Sequence, residues 1–135
     1  MGDKITLKVY SVDGKTYIDD VDFVYVDVPD YGVRGLTPGH TPFSALLFIG
    51  SFYYVKDDKK TYVTISGGNI NFKNNVATIL ADTFEKEDEL DKVRIMAAKE
   101  KAEEILANPQ NTDKKAYEDA QFSLKKAMNR IKHLK

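Results

Sequence analysis

The chain has no cysteine. Disulfides, thiolate metal sites and cysteine nucleophiles are excluded together, and the usage fits an intracellular setting. Histidine is almost as scarce: His40 and His133 lie far apart, which gives no metal-ligand spacing. Charge of either sign is not in excess. A net charge of −1 leaves the whole chain without the basic surplus that points to nucleic acid or anionic lipid. No long apolar run is present: Phe43 to Tyr54 comes nearest, and it is too short to span a bilayer and is broken by Gly50. The opening residues Met1-Gly2-Asp3-Lys4 pass straight into an alternating pattern, so no signal peptide is expected.

Two further absences divide the chain. No glycine follows position 68 and no glutamate precedes position 85, while thirteen of the fifteen Phe and Tyr residues lie at or before Phe84. Glycine and aromatics suit turns and strands; Glu, Lys and Ala suit helices. Residues 1–84 should therefore be β and residues 85–135 α. A length of 135 residues fits one domain with an appendage, large enough for a core without staples.

The first part reads as short strands. Ile5, Leu7 and Val9 alternate with polar residues, and Lys15 to Ile18 follows an Asp13-Gly14 turn. Phe23 to Val28 is β-branched and aromatic. Phe52–Lys56 and Lys60–Ser66 flank Asp57-Asp58-Lys59; Asn69–Phe72 and Val76–Ala81 flank Lys73-Asn74-Asn75. Such strands, with turns at this frequency, indicate a sandwich or a barrel. Ser66-Gly67-Gly68-Asn69 lacks the glycine and lysine pattern of a phosphate loop and is expected to be a hairpin turn.

The second part reads as two helices. Asp88 is the expected first N-cap, and Asn108-Pro109 stops that helix near Ala107. Thr112 is the expected second N-cap. Ala116, Ala120, Leu124, Ala127, Ile131 and Leu134 then form a narrow apolar stripe, to which the first helix offers Ala97, Ala98 and Ala102. Small residues favour close antiparallel packing, but an alanine seam buries little area at about 25 cal/mol per Å². The hairpin is expected to be marginal and able to open or re-dock. Residues 85–120 carry 11 acids and 7 bases, whereas residues 121–135 carry five bases (Lys125, Lys126, Arg130, Lys132, Lys135) and no acid. That is more than a helix dipole asks for, and it suits an acidic partner or a phosphate.

The residues from Gly32 to Phe43 concentrate three glycines, two prolines, Arg34 and His40. Glycine and proline there make a stiff corner rather than a linker. No acid and nucleophile flank His40 in the pattern that acyl-transfer chemistry needs, so it reads as a turn or interface residue. The acidic pairs Asp19-Asp20 and Asp57-Asp58 read as loop solvation. No catalytic constellation emerges, and an enzyme in its own right is the weakest reading.

Gly35-Leu36-Thr37-Pro38-Gly39-His40-Thr41-Pro42-Phe43, then Tyr62 to Gly68, Val76 to Asp82, Leu90 to Arg94 and Leu124 to Ile131, match in order and spacing the epsilon subunit of F-type ATP synthases, which the chain resembles over nearly its whole length. The resemblance implies an antiparallel β-sandwich (1–84) and an antiparallel two-helix hairpin (85–135), Bacillus-like at its C-terminal end. It implies a non-catalytic central-stalk subunit of a proton-translocating rotary enzyme, peripheral on the cytoplasmic face of a bacterial cell membrane. The implied partners are the gamma subunit, the membrane rotor ring of c subunits and, with the hairpin extended to restrain ATP hydrolysis, the catalytic beta and alpha subunits. Arg34, Leu36, Pro38, Gly39 and His40 would contact the rotor ring or gamma; Lys125, Lys126, Arg130 and Lys132 would face the beta subunit. Val33-Arg34 stands where family members often carry an acid.

No cofactor is required on this reading, and ATP is the regulatory ligand that some members bind on the hairpin through an Ile/Leu-Asp-x-x-Arg-Ala motif. Here the motif reads Leu90-Asp91-Lys92-Val93-Arg94-Ile95, with Ile95 replacing alanine. Glu85 and Arg130 also fall on nucleotide-contacting positions, and Lys101 and Lys126 stand where binding members have arginine, without its bidentate fork. The plainer alternative is that Asp91 caps a helix and pairs with Arg94. A free-standing ATP-sensing module is the runner-up function. A nucleic-acid binder is disfavoured because the basic helix offers no exposed aromatic beyond Phe122.

Overall fold

The computed structural model describes residues 3–29 and 31–134, so Met1, Gly2 and the last base of the basic end, Lys135, lie outside the described residues. Two compact units divide between Glu87 and Asp88.

The first unit contains β1 (Ile5–Ser11), β2 (Thr16–Val21), β3 (Phe23–Val28), β4 (Gly32–Leu36), β5 (Phe43–Lys56), β6 (Lys59–Lys73), β7 (Val76–Ala81) and β8 (Phe84–Lys86). They form one folded-over sheet in the order β2-β1-β7-β6-β5-β3-β4, with β8 also paired to β6. Every pairing is antiparallel except β1 with β7, which run parallel. Alternation places Ile5, Leu7 and Val9 of β1 and Val24, Val26 and Val28 of β3 in one core with Phe52, Phe72 and Ile79. Because β8 pairs with β6, the sheet unit runs three residues past the break read in the composition, and Glu85 sits in a strand opposite Thr64.

Strands β5 and β6, of 14 and 15 residues, each serve both layers. β5 buries Leu47 and then Phe52 and Tyr54; β6 buries Val63 and Ile65 and then Ile70 and Phe72. That is a switch from odd to even positions, which a period-2 strand makes only at an irregularity. The switch falls around Gly50 in β5 and Gly67-Gly68 in β6. Gly67 and Gly68 have φ of +109° and +147°, and here β6 changes partner from β8 to β7. Ser66-Gly67-Gly68-Asn69 is thus a bend inside a strand, not the hairpin turn expected from sequence. Glycine takes up the bend without leaving the ladder. The expected turns at Asp57-Asp58 and Asn74-Asn75 are present, all four residues having positive φ as tight two-residue hairpins require. A polar seam ties β2 to β5: the Tyr17 and Tyr54 hydroxyls lie 3.0 Å apart, and Lys56 Nζ donates to Asp19 at 2.8 Å.

The second unit is α1 (Lys92–Ala107) and α2 (Lys114–Ile131), antiparallel across a short turn at Pro109–Asn111. Both expected caps move. Glu87–Glu89 winds as a single 3-10 turn that takes up Asp88, and the Asp91 carboxylate accepts the Arg94 backbone N–H at 3.2 Å. The Thr112 hydroxyl donates to the Asn108 carbonyl at 2.9 Å, and Asp113 caps α2 by accepting from the Ala116 N–H at 2.8 Å. The seam is also narrower than expected. Ala102 is buried, but Ala97 and Ala98 are exposed, and the buried set is Ile95 and Ala102 of α1 with Ala120 and Ala127 of α2.

Candidate functional site

Three surfaces carry candidate residues: the glycine-proline corner, an apolar sheet face and the cations of the hairpin. The corner begins as β4, an edge strand on β3. Gly35 lies across from Tyr25, and a Cβ there would stand 2.8 Å from the Tyr25 ring. Beyond β4 the chain turns at Gly39, whose φ is +86° and whose N–H donates to Asn75 Oδ1 at 2.8 Å. His40 Nδ1 donates to the Thr41 carbonyl at 2.7 Å, and the ring stands edge-on to Phe72 and Phe43 at 5.8 and 6.4 Å. The imidazole is a packed member of the turn. The Arg34 guanidinium lies about 6 Å from the rings of Tyr31 and Phe43, a cation–π arrangement. Arg34 and Gly39 are exposed and Pro38 and His40 half-buried, whereas Leu36 is wholly buried in the core and so holds the corner from beneath.

The apolar face escaped the sequence reading. Leu46, Phe48 and Leu80 are 71%, 66% and 47% exposed. Register puts Leu46 opposite Asn69, Asn69 opposite Leu80, and Leu80 opposite Tyr10, so these side chains share one outer face of the sheet. Ile18 of β2, 53% exposed, extends it. A signal existed: Leu46-Leu47-Phe48-Ile49 is apolar at four consecutive strand positions, so both strand faces must be apolar while only one can meet the core.

On the hairpin, Arg94 and Lys101 are exposed and, seven residues apart, share one side of α1. Lys126 and Arg130 are a turn apart on α2, both half-buried, with Lys126 Nζ 4.9 Å from the Phe122 ring. The buried pairs Ile95/Ala102 and Ala120/Ala127 have equal spacing and run in opposite directions, which levels the start of α1 with Lys126 and Arg130. Lys125 of α2 and Lys132, the residue that follows the helix, are exposed. Among the described residues the Arg94 guanidinium forms no ion pair, so the side-chain half of an Asp91–Arg94 pairing is not made, while the capping half is. Leu90 is half-buried ahead of the cap and Ile95 is 6% exposed. Glu85 belongs to the sheet unit, and the other expected nucleotide residues belong to the helical unit. Among the described residues no group of His, Cys, Asp and Glu is arranged to hold a metal, and no helix is long and apolar enough to cross a membrane.

Comparison with known proteins matches residues 4–87 to the beta-sandwich domain of the ATP synthase delta/epsilon chain and residues 88–135 to the long alpha-helix domain of the same chain. The sequence is 39% identical over 128 residues to an ATP synthase epsilon chain of Bacillus licheniformis, covering 93% of this chain and 95% of that one. It is 33% identical to the epsilon chain of Pediococcus pentosaceus, covering 94% and 92%. In three dimensions it is similar to a chain of the Euglena gracilis mitochondrial ATP synthase, with a TM-score of 0.73 at 20% identity, covering 96% of this chain and 80% of that one.

Proposed function

The chain belongs to the epsilon chains of F-type ATP synthases and is, with that family, a non-catalytic rotor subunit; from this premise we propose how its two units do the work. The sandwich docks on the gamma subunit through the outer face bearing Leu46, Phe48 and Leu80. The observation that carries this is their exposure on a face with no core behind it to explain them. Fully burying one such side chain contributes about 1.5–3 kcal/mol, enough for three of them to anchor a rotor subunit. The corner at Arg34, Pro38, Gly39 and His40 meets the polar loops of the rotor ring on the cytoplasmic side. Its stiffness suits transmission of rotation, and Leu36 and the Gly39–Asn75 hydrogen bond keep it so.

The hairpin is the regulatory element. Arg94 and Lys101 on one helix and Lys126 and Arg130 on the other offer cations to a triphosphate, which favours the folded hairpin because only there do the two helices act together. Extended, the basic α2 with Lys125, Lys126 and Arg130, and Lys132 just past its end, faces an acidic segment of a catalytic beta subunit and restrains hydrolysis. The test of the docking half is co-purification with a gamma subunit: wild type should be retained, and a Leu46→Asp, Phe48→Asp variant lost without a change in its own stability. Retention of that variant contradicts the assigned face. The test of the ligand half is calorimetric titration of the full chain with ATP: a saturable heat that Arg94→Ala removes is expected, and no heat at millimolar ATP rejects the site.

A further inference from the structure

Strand β5 has two edges, and over its first half only one of them is used. From Phe43, opposite Phe72, to Leu47, opposite Gly68, it pairs with β6. Its other edge meets β3 only from Phe52 to Val55. Among the described residues no strand, turn or side chain hydrogen-bonds that other edge between Phe43 and Leu47. In an antiparallel strand each residue points its N–H and C=O to the same edge, and successive residues alternate between edges. Alternate residues of this stretch therefore present both groups outward. Exposed edges are ordinarily guarded by charges, prolines or bulges. Pro42 guards only the beginning of this one, and no Asp, Glu, Lys or Arg stands between Arg34 and Lys56. The side chains beside the edge include Leu46 and Phe48, both apolar and open to solvent.

We propose that this edge takes up an extended segment of the gamma subunit as an added strand, so that the sandwich docks by backbone hydrogen bonds as well as by the side chains of its outer face. The proposal rests on the docking reading above for the identity of the partner. Backbone pairing supplies affinity, and the side chains on either face of the added strand supply specificity. The incoming segment is uncharged and apolar, to match Ala45 and Leu47 on the core side of β5 and Leu46 on the outer side. A second copy of this chain fits less well. Two β5 edges joined about a two-fold axis would continue the sheet in its own plane. Leu80 on β7 and Ile18 on β2, strands further in along the same layer, would stay bare. A different folded subunit can set a strand on the edge and lay further side chains over the face.

Nuclear magnetic resonance of the full chain, isotopically labelled, with unlabelled gamma subunit tests this. In the free chain the amides from Phe43 to Leu47 should alternate between slow exchange, where they bond to β6, and fast exchange. In the complex the alternation should vanish, the fast amides slowing roughly a hundredfold or more. Amide and α protons of the stretch should also show nuclear Overhauser contacts to backbone protons of gamma. A complex in which only the Leu46 and Phe48 side chains touch gamma, with the alternation kept, overturns the added strand and leaves the docking face standing. Absence of any complex overturns both. Slow exchange throughout the stretch in a self-associated free chain gives the edge to a second copy, and the proposal falls.

Discussion

Replacing Gly68 by alanine should damage the sandwich far more than replacing its neighbour Gly67. At Gly68 φ is +147°, and an added Cβ would stand 2.1 Å from the Leu80 carbonyl oxygen and 2.8 Å from the Ala81 Cα. Both contacts are backbone atoms of β7, so no side chain can swing away; relief requires β6 and β7 to part and weaken the ladder on which Gly68 faces Ala81. The unfavourable φ costs about 1–3 kcal/mol and the overlap about 1–3 kcal/mol more. A loss of roughly 3–5 kcal/mol is a large share of the 5–15 kcal/mol typical of a domain. At Gly67, with φ of +109°, the nearest atom to an added Cβ is Asp82 Oδ2 at 3.6 Å, an ordinary contact. Gly67→Ala should therefore cost only the backbone strain. Urea unfolding followed by near-ultraviolet tyrosine dichroism reports the sandwich, since all the tyrosines but Tyr117 lie in it. A Gly68→Ala variant within about 1 kcal/mol of wild type, or no worse than Gly67→Ala, would refute the close-approach argument.

Two further predictions follow from hydrogen bonds. Asp91→Ala and Asp113→Ala should each lower hairpin stability by about 1 kcal/mol, while Asp88→Ala should change it little, as read by thermal loss of the helical dichroism signal; equal effects at Asp88 and Asp91 would contradict the cap assignment. The hydrogen bond from Lys56 holds the Asp19 carboxyl below its ordinary pKa, against a smaller opposing effect of desolvation. A carboxylate depressed in the folded state stabilises it above the unfolded pKa of about 3.9, and that stability is lost as pH falls through the folded value. The sandwich should weaken below about pH 4, and Asp19→Asn should flatten that part of the acid titration; an unchanged acid limb would remove Asp19 from the account.

Much of this fold was legible because its signals are local. Val24, Val26 and Val28 alternate cleanly, Asp57-Asp58 and Asn74-Asn75 mark tight turns, and Asn108-Pro109 stops a helix. What escaped depends on partners distant in sequence. Ser66 to Asn69 carries the composition of a turn, and only pairing with β7 and β8 on one side and β5 on the other keeps it in a strand. Asp88 and Thr112 are sound caps by residue type, but Asp91 and Asp113 stand nearer the first regular helical turn and win the N–H groups. Leu36 sits in the same motif as the exposed Arg34 and Gly39, yet its strand parity turns it into the core. The apolar outer face arises from residues on β5, β7 and β2 that meet only through sheet register.

The central claim, that the hairpin of this rotor subunit restrains hydrolysis, is tested most directly by the ATPase rate of the assembled rotary complex. Complex reconstituted with the full chain should hydrolyse ATP more slowly than complex reconstituted with the chain ending at Glu87, with equal incorporation of both. Equal rates for the two complexes would contradict the claim.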